Sequence, residues 1–150
     1  MTFGLGAKLF GIAALVIAVI AVVPVKVTGA MFDLYFHETY IAIPARHAFL
    51  GFALLCGTFA AFYYLGDRAL RHRWHNGLTI AHFLLWILSA VIFVLEADWL
   101  QRASLAGRYP NNSWLFLAGF VVPYLAFPLG GAVFLANFVR AIVLKRQNPT

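Results

Sequence analysis

Charge and cysteine are both scarce in this sequence, and each shortage excludes a class of protein. Asp, Glu, Lys and Arg make up 11% of the 150 residues, about half the share of a typical soluble domain. Cys56 is the single cysteine, so neither a disulfide within the chain nor a cysteine-based metal cluster can form. We also find no hydrolase triad pattern, no phosphate-binding glycine loop and no zinc-ligand spacing.

Hydrophobic residues are abundant instead, at 63% of the chain. This composition is typical of an integral membrane protein. A spanning helix needs about 20 apolar residues, so four helices with short connections fill the chain and leave no room for a soluble domain. We therefore predict an all-α fold, a single four-helix membrane bundle with spans at about residues 5–27, 39–65, 78–95 and 114–143.

Local signals refine three of these spans. The first has a basic start and a long apolar run, which is interpreted as a retained helix, although a signal peptide has a similar pattern. The second is predicted to begin at Thr39, a favourable N-cap residue. The fourth contains Pro123, Pro128 and the pair Gly130 and Gly131, which predict a kinked or broken helix because each proline removes a backbone hydrogen bond.

The distribution of charge predicts the orientation. The basic residues fall on one side of the membrane if the N-terminus is cytoplasmic: Lys8, Arg68, Arg71, Arg73, Arg140, Lys145 and Arg146. The acidic residues Asp33, Glu38, Glu96 and Asp98 then fall on the other side. Since cytoplasmic loops are enriched in Lys and Arg, we expect both termini to be cytoplasmic in a multi-pass protein of the inner (cytoplasmic) membrane. The net charge of +6 then reflects topology, and no nucleic-acid partner is expected.

Arg46 and His47 are the ionisable pair that stands inside the second predicted span. Such residues at membrane depth are costly and mark functional sites by default. Counted from Thr39, His47 would lie about 12 Å along the helix. The same pair is also compatible with a structural polar layer, a heme ligand or a quinone site. Above it, the first and third connections are expected to meet, bringing together Asp33, His37, Glu38, Glu96, Asp98, Arg102 and Arg108.

Two other histidines have simpler interpretations. His37 with Glu38 offers an imidazole and a carboxylate, which a hard divalent cation such as Mg²⁺ or Mn²⁺ accepts when Asp98 or another nearby acid and water complete the site. Surface loops often carry such groups without a metal, so this alternative stays open. His82, inside the third span, is interpreted as a core histidine hydrogen-bonded to a neighbouring helix. Tryptophans and tyrosines near the span ends are typical of an aromatic belt.

Three motifs in order resemble the last part of subunit I of the heme-copper oxidases, from its tenth to its twelfth helix. The tenth helix is similar to His37-Glu38-Thr39-Tyr40 followed by Arg46-His47. Ile80-Ala81-His82-Phe83 is similar to the start of the eleventh helix. Leu105-Ala106-Gly107-Arg108-Tyr109-Pro110 resembles the loop before the twelfth. The resemblance covers residues from about 32 to 143, with one span added in front.

The resemblance implies roles for individual positions. His37 and Glu38 would correspond to the magnesium or manganese site, His47 to an axial ligand of the low-spin heme, and Arg108 to a propionate-binding arginine. Ala45 stands where the family has the high-spin heme ligand. The copper ligands and the second low-spin heme ligand belong to earlier helices. The chain by itself is therefore not expected to reduce oxygen.

These observations predict a non-catalytic subunit within a larger respiratory or redox membrane complex, itself an oxidoreductase. One alternative is a small electron carrier that holds heme b at His47, with Arg46 and Arg108 as further cofactor-binding residues, in a homo-oligomer such as a homodimer. Another is a transporter or ligand-binding protein that uses Arg46 and the fourth span. We expect no cofactor in the first place, with heme b and a divalent cation as the alternatives. The expected partner of such a chain is the lipid bilayer.

Overall fold

The computed structural model describes residues 4–22, 31–36, 39–70, 74–105 and 113–147. For residues 31–42, 45, 93, 96–105 and 113–124 the description covers the backbone alone. Four helices and one two-stranded hairpin make up the described chain. In order they are α1 (Leu5–Val22), β1 (Met31–Phe36), β2 (Thr39–Pro44), α2 (Ala45–Leu70), α3 (Asn76–Leu105) and α4 (Ser113–Gln147).

Three of the helices are long and apolar enough to cross a membrane. The candidate spans are Leu5–Val22, Arg46–Leu70 and Leu125–Gln147, and α3 contributes a shorter apolar stretch, Asn76–Ile92. The described part of the chain therefore has the make-up of a membrane protein, with four helices as predicted. The third predicted span, at about residues 78–95, corresponds to the apolar part of α3.

The hairpin is a feature that the predicted all-α fold did not contain. β1 pairs antiparallel with β2, from Met31 opposite Pro44 to Phe36 opposite Thr39. Both strands are rich in aromatic and β-branched residues, which favour extended pairing. Pro44 cannot donate to the ladder and stands at its end. The prediction that Thr39 caps a helix is wrong, because residues 39–44 pair with β1 before the helix begins.

Consequently α2 begins at Ala45 and ends at Leu70, later at both ends than the predicted 39–65. Arg46 and His47 lie in its first turn, so the prediction that His47 lies about 12 Å along the helix is also wrong. α3 likewise extends beyond the predicted residue 95 to Leu105. Its last ten residues, EADWLQRASL, contain neither glycine nor proline, so nothing in them ends a helix.

α4 runs without interruption from Ser113 to Gln147. Of the predicted kinked or broken helix at Pro123 and Pro128, the broken alternative is therefore wrong and the kink stays a prediction. A proline inside a membrane helix removes one hydrogen bond, but local adjustment and neighbouring helices compensate. Gly130 follows two residues after Pro128 and is buried where α3 approaches, close to His82 and Trp86. Gly130 thus allows α4 to pack closely against α3.

The helices pack as two adjacent pairs, α1 with α2 and α3 with α4, and α1 also contacts α3. α1 begins, α2 ends, α3 begins and α4 ends at the same end of the molecule, which we call the basic end. Three contacts establish this: Gly4 lies against the Asp67 carboxylate, Asn137 bonds to His75, and Lys145 Nζ donates to the Ala69 carbonyl at 2.9 Å. The hairpin lies toward the other end, where β1 contacts both α2 and α3.

Candidate functional site

Aromatic side chains from all four helices meet in one cluster, which we call the aromatic core. It consists of Phe10 from α1, Phe59 and Tyr63 from α2, His82 and Trp86 from α3, and Phe134 from α4. The Phe10 ring lies 5.3 Å from the Phe59 ring and 4.9 Å from the His82 ring, measured between centroids. Such tilted and edge-on pairs are favourable for rings of this size. The aromatic core therefore joins the two helix pairs.

His82 is the ionisable residue inside this core. It is 0% exposed, and its ring lies 4.7 Å from Phe59 and 5.3 Å from Phe134 between centroids. The Tyr63 hydroxyl and His82 Nδ1 form a hydrogen bond of 3.1 Å between α2 and α3. The interpretation of His82 as a core histidine bonded to a neighbouring helix is confirmed. The other ring nitrogen, Nε2, is buried and has no hydrogen-bond partner among the described residues.

A buried amide binds the start of α3 to α4. Asn137 is 0% exposed; its Oδ1 accepts from the His75 backbone N–H at 2.8 Å, and its Nδ2 donates to the His75 carbonyl at 3.3 Å. Nδ2 also donates to Thr79 Oγ1 at 3.0 Å. His75 itself caps the helix, because its Nδ1 accepts from the Leu78 N–H at 3.3 Å. Every hydrogen-bonding atom of the Asn137 amide is thus used to fix helix geometry.

We call the hydrogen bonds of Asn137 to His75 and Thr79 the clasp. Between the clasp and the start of α1 lies a cavity of about 80 Å³. We call it the basic-end cavity. Eight residues line it: Gly4, Leu5, Gly6, Tyr63, Asp67, Trp74, Asn76 and Thr79. Asp67 is buried here, beside the first residues of α1, where the positive end of the helix dipole favours a carboxylate. The Trp74 indole nitrogen is buried without a hydrogen-bond partner in the described structure.

Two glycines at the start of α1 let these groups come close. A Cβ at Gly4 would overlap the Asp67 carboxylate, and a Cβ at Gly6 would overlap the Tyr63 ring. Since any other residue would carry that atom, only glycine allows α1 to approach α2 at this level. The Gly-x-Gly pattern therefore serves packing at the basic end.

The ionisable pair of the second predicted span lies away from both the aromatic core and the basic end. Arg46 and His47 are both exposed, at the end of α2 far from the aromatic core. They continue into a row of exposed residues that we call the α2 outer face, namely His47, Gly51, Leu54, Thr58, Ala61 and Leu65. A Cβ at Gly51 would have no atom within 4 Å. No other described element covers this row.

The structure separates His47 from His82 along α2. His47 precedes Tyr63 by 16 residues, or about 24 Å of helix, and Tyr63 bonds to His82, so the two histidines cannot bind one iron. The rings of Phe10, Phe59 and Phe134 surround His82 within 5.3 Å between centroids. The basic-end cavity, about 80 Å³, is far smaller than the roughly 300–1,000 Å³ typical of a ligand pocket. Among the described residues, the other two histidines, His75 and His82, lie away from the end of α2 that carries the exposed His47.

The predicted metal site falls outside what the structure describes. His37, Glu38 and Arg108 are not among the described residues, and for Asp98 the description covers the backbone alone. Elsewhere in the described ranges, no group of three His, Cys, Asp or Glu side chains is close enough to hold a metal. β1, in the first connection, contacts α3, and the prediction that the charged residues of the first and third connections meet stays a prediction.

The sequence predicted functional residues at the N-terminal end of α2 and missed those near its C-terminal end. Tyr63 and Trp86 were assigned to an aromatic belt but lie in the core, 1% and 2% exposed. The second predicted span ends at about residue 65, so it leaves Asp67 in the following connection. The sequence interpretation does not include Asn137 among the candidate residues. Asn137 carried a usable signal, since a lone amide in a long apolar span needs hydrogen-bond partners. Tyr63 and Asp67 gave a second usable signal, because residues four positions apart share one helix face.

No protein-family model, curated protein or solved structure matches the chain. The resemblance to oxidase subunit I therefore rests on its three motifs alone.

Proposed function

We propose that this chain is a non-catalytic subunit that crosses the inner membrane four times, with both termini in the cytoplasm, and packs against a larger redox complex. The observation that carries the proposal is the α2 outer face. Its six residues are spaced alternately by four and three positions, from His47 to Leu65. This seven-residue repeat is the pattern with which one helix packs along another.

The composition of this face also favours a helix over lipid. Lipid requires only apolar side chains, whereas helix packing in membranes uses small residues that let backbones approach. Gly51, Thr58 and Ala61 supply three small positions in the row. The Thr58 hydroxyl donates to the Leu54 carbonyl at 2.9 Å, so it needs no partner and leaves the surface apolar.

The ionisable pair indicates the chemistry of the partner. Arg46 can extend toward headgroups, as long basic side chains do at span ends, but His47 is too short to do so. Two copies of the chain in the same orientation would bring their Arg46 side chains together across this face, which is unfavourable. The partner is therefore a helix of a different subunit, with small residues along its length and an acidic or hydrogen-bonding group opposite Arg46 and His47. The resemblance to the end of oxidase subunit I makes a redox complex the matching class.

Purification from native membranes in mild detergent tests this assignment. We expect the tagged chain to retain a membrane partner in fixed stoichiometry, and the complex to show cytochrome absorbance that the separated chain lacks. Ala61→Leu, on the α2 outer face, should lower the recovered partner at least tenfold. Ala136→Leu changes an exposed alanine of α4 in the same way and should leave the recovery unchanged.

Three results would contradict the proposal. A partner lost equally in both variants would show that the α2 outer face is not the interface. A homodimer or a monomer from native membranes would remove the hetero-partner. Reduced α and Soret bands with near-stoichiometric iron in the separated chain would instead favour a heme protein, with His47 as the ligand to replace.

A further inference from the structure

The Tyr63 side chain connects two sites that the proposed function does not use. On one side it lines the basic-end cavity together with Asp67 and Thr79. On the other side its hydroxyl is bonded to His82 Nδ1 at 3.1 Å. His82 lies six residues into α3, about 9 Å beyond Asn76 at the cavity. The Tyr63 side chain therefore stands between a polar cavity and a buried histidine.

The cavity has the properties of a hydrated site. It lies where α1 and α3 begin, and two of its lining residues, Leu5 and Asn76, are exposed. Its volume of about 80 Å³ exceeds the share of two water molecules in the liquid, about 30 Å³ each. Its lining includes three polar side chains, those of Asp67, Asn76 and Thr79. Water held by such groups is a normal part of a folded protein.

We infer that water in the basic-end cavity delivers protons through the Tyr63 hydroxyl to His82, which makes His82 a proton-accepting site that opens only toward the basic end. The transfer balances with the solvent as the source of the proton. The Tyr63 hydroxyl gives its proton to His82 Nδ1 while it takes one from a protonated water in the cavity, which is left as neutral water. His82, with a proton already on Nε2, becomes an imidazolium. The reverse transfer restores the starting state.

The surroundings of His82 explain why the path ends there. Phe10 from α1, Phe59 from α2 and Phe134 from α4 face its ring, and none of them titrates. Tyr63 is the titratable residue in contact with it, Cys56 is a thiol in the same buried cluster, and Asp67 is the charged group along the path. Nε2 has no described acceptor, so a proton has no onward route. The inference does not depend on the proposed partner, because all of these groups belong to this chain.

Hydrogen exchange of the intact protein in lipid nanodiscs tests both parts of the inference. The Trp74 indole N–H reports hydration of the cavity, and that of Trp86, which is 2% exposed in the core, is the control within the molecule. The hydrogen shared by Tyr63 and His82 is followed through the ¹⁵N resonance of His82 Nδ1 after transfer to D₂O. We expect the shared hydrogen and Trp74 to exchange at least tenfold faster than Trp86.

Variants then test the route. Asp67→Asn keeps the shape of the side chain, and Leu5→Phe adds bulk at the cavity; each should slow exchange of the shared hydrogen at least tenfold. Leu15→Phe places the same change at an exposed position of α1 away from the cavity and should leave the rate unchanged. Exchange of Trp74 as slow as that of Trp86 would show a dry cavity and overturn the inference. Fast exchange at Trp74 with slow exchange of the shared hydrogen would show that Tyr63 does not relay protons, which also overturns it.

Discussion

Both ends of α2 carry polar side chains, which are buried at one end and exposed at the other. Near its C-terminal end, Tyr63 and Asp67 are buried, and α1 and α3 supply the surfaces against which they pack. At its N-terminal end, Arg46 and His47 are exposed, and the described helices leave them uncovered. The polar residues of one helix are thus enclosed by the chain's own helices at one end and left exposed at the other.

This comparison predicts different consequences of substitution at the two ends. Changes at the basic end should alter the stability of the chain itself, because its polar groups are enclosed by neighbouring helices. Changes at the N-terminal end of α2 should leave stability unchanged and act on association alone.

The largest effect is expected from Asn137→Leu. The substitution removes three hydrogen bonds. The His75 carbonyl and the Thr79 hydroxyl keep the bond between them, but the His75 N–H loses its partner, which costs about 1–3 kcal/mol when the group is buried. We expect the free energy of unfolding in detergent to fall by about 3 kcal/mol. Gln147→Leu, an exposed amide on the same helix, should change it by less than about 0.5 kcal/mol. Equal effects of the two variants would refute the role of the clasp.

A pair of glycine substitutions should give opposite signs. Gly6→Ala places a Cβ against the Tyr63 ring, and overpacking of this kind costs about 1–3 kcal/mol. Gly51→Ala meets no atom within 4 Å, so the better helix propensity of alanine should stabilise the separated chain by about 0.5–1 kcal/mol. Thermal and denaturant unfolding in the same detergent measure both. A stabilising Gly6→Ala would mean that α1 does not approach α2 as described.

The smallest effect on the separated chain is expected from His47→Ala. His47 is exposed and has no described neighbour to lose, so the free energy of unfolding should change by less than about 0.5 kcal/mol. The visible absorption spectrum should also be unchanged. His82→Ala is the matched control and should lower the free energy of unfolding, because it leaves a cavity in the aromatic core. Loss of a Soret band in His47→Ala would contradict the expectation that the chain binds no heme.

The membrane character and the number of helices could be predicted because they depend on length and apolar content alone. The hydrogen bond of His82 to another helix could be predicted as well, since a histidine inside a span must find a partner. The hairpin could not, because residues 31–44 are apolar enough to be read as loop and span, and only their pairing with each other makes them strands. That pairing moved the start of α2 and, with it, the depth of His47.

By itself, the sequence determined that this chain is apolar, helical and suited to a membrane, because these properties are sums over residues and need no knowledge of neighbours. Only the tertiary structure decided which polar residues are enclosed. It placed Tyr63, Asp67, His82 and Asn137 between helices and left Arg46 and His47 outside. The reason is physical: whether a side chain is covered depends on which helices approach it, and that approach is set by contacts between residues far apart in the chain, such as Gly6 with Tyr63 and His75 with Asn137.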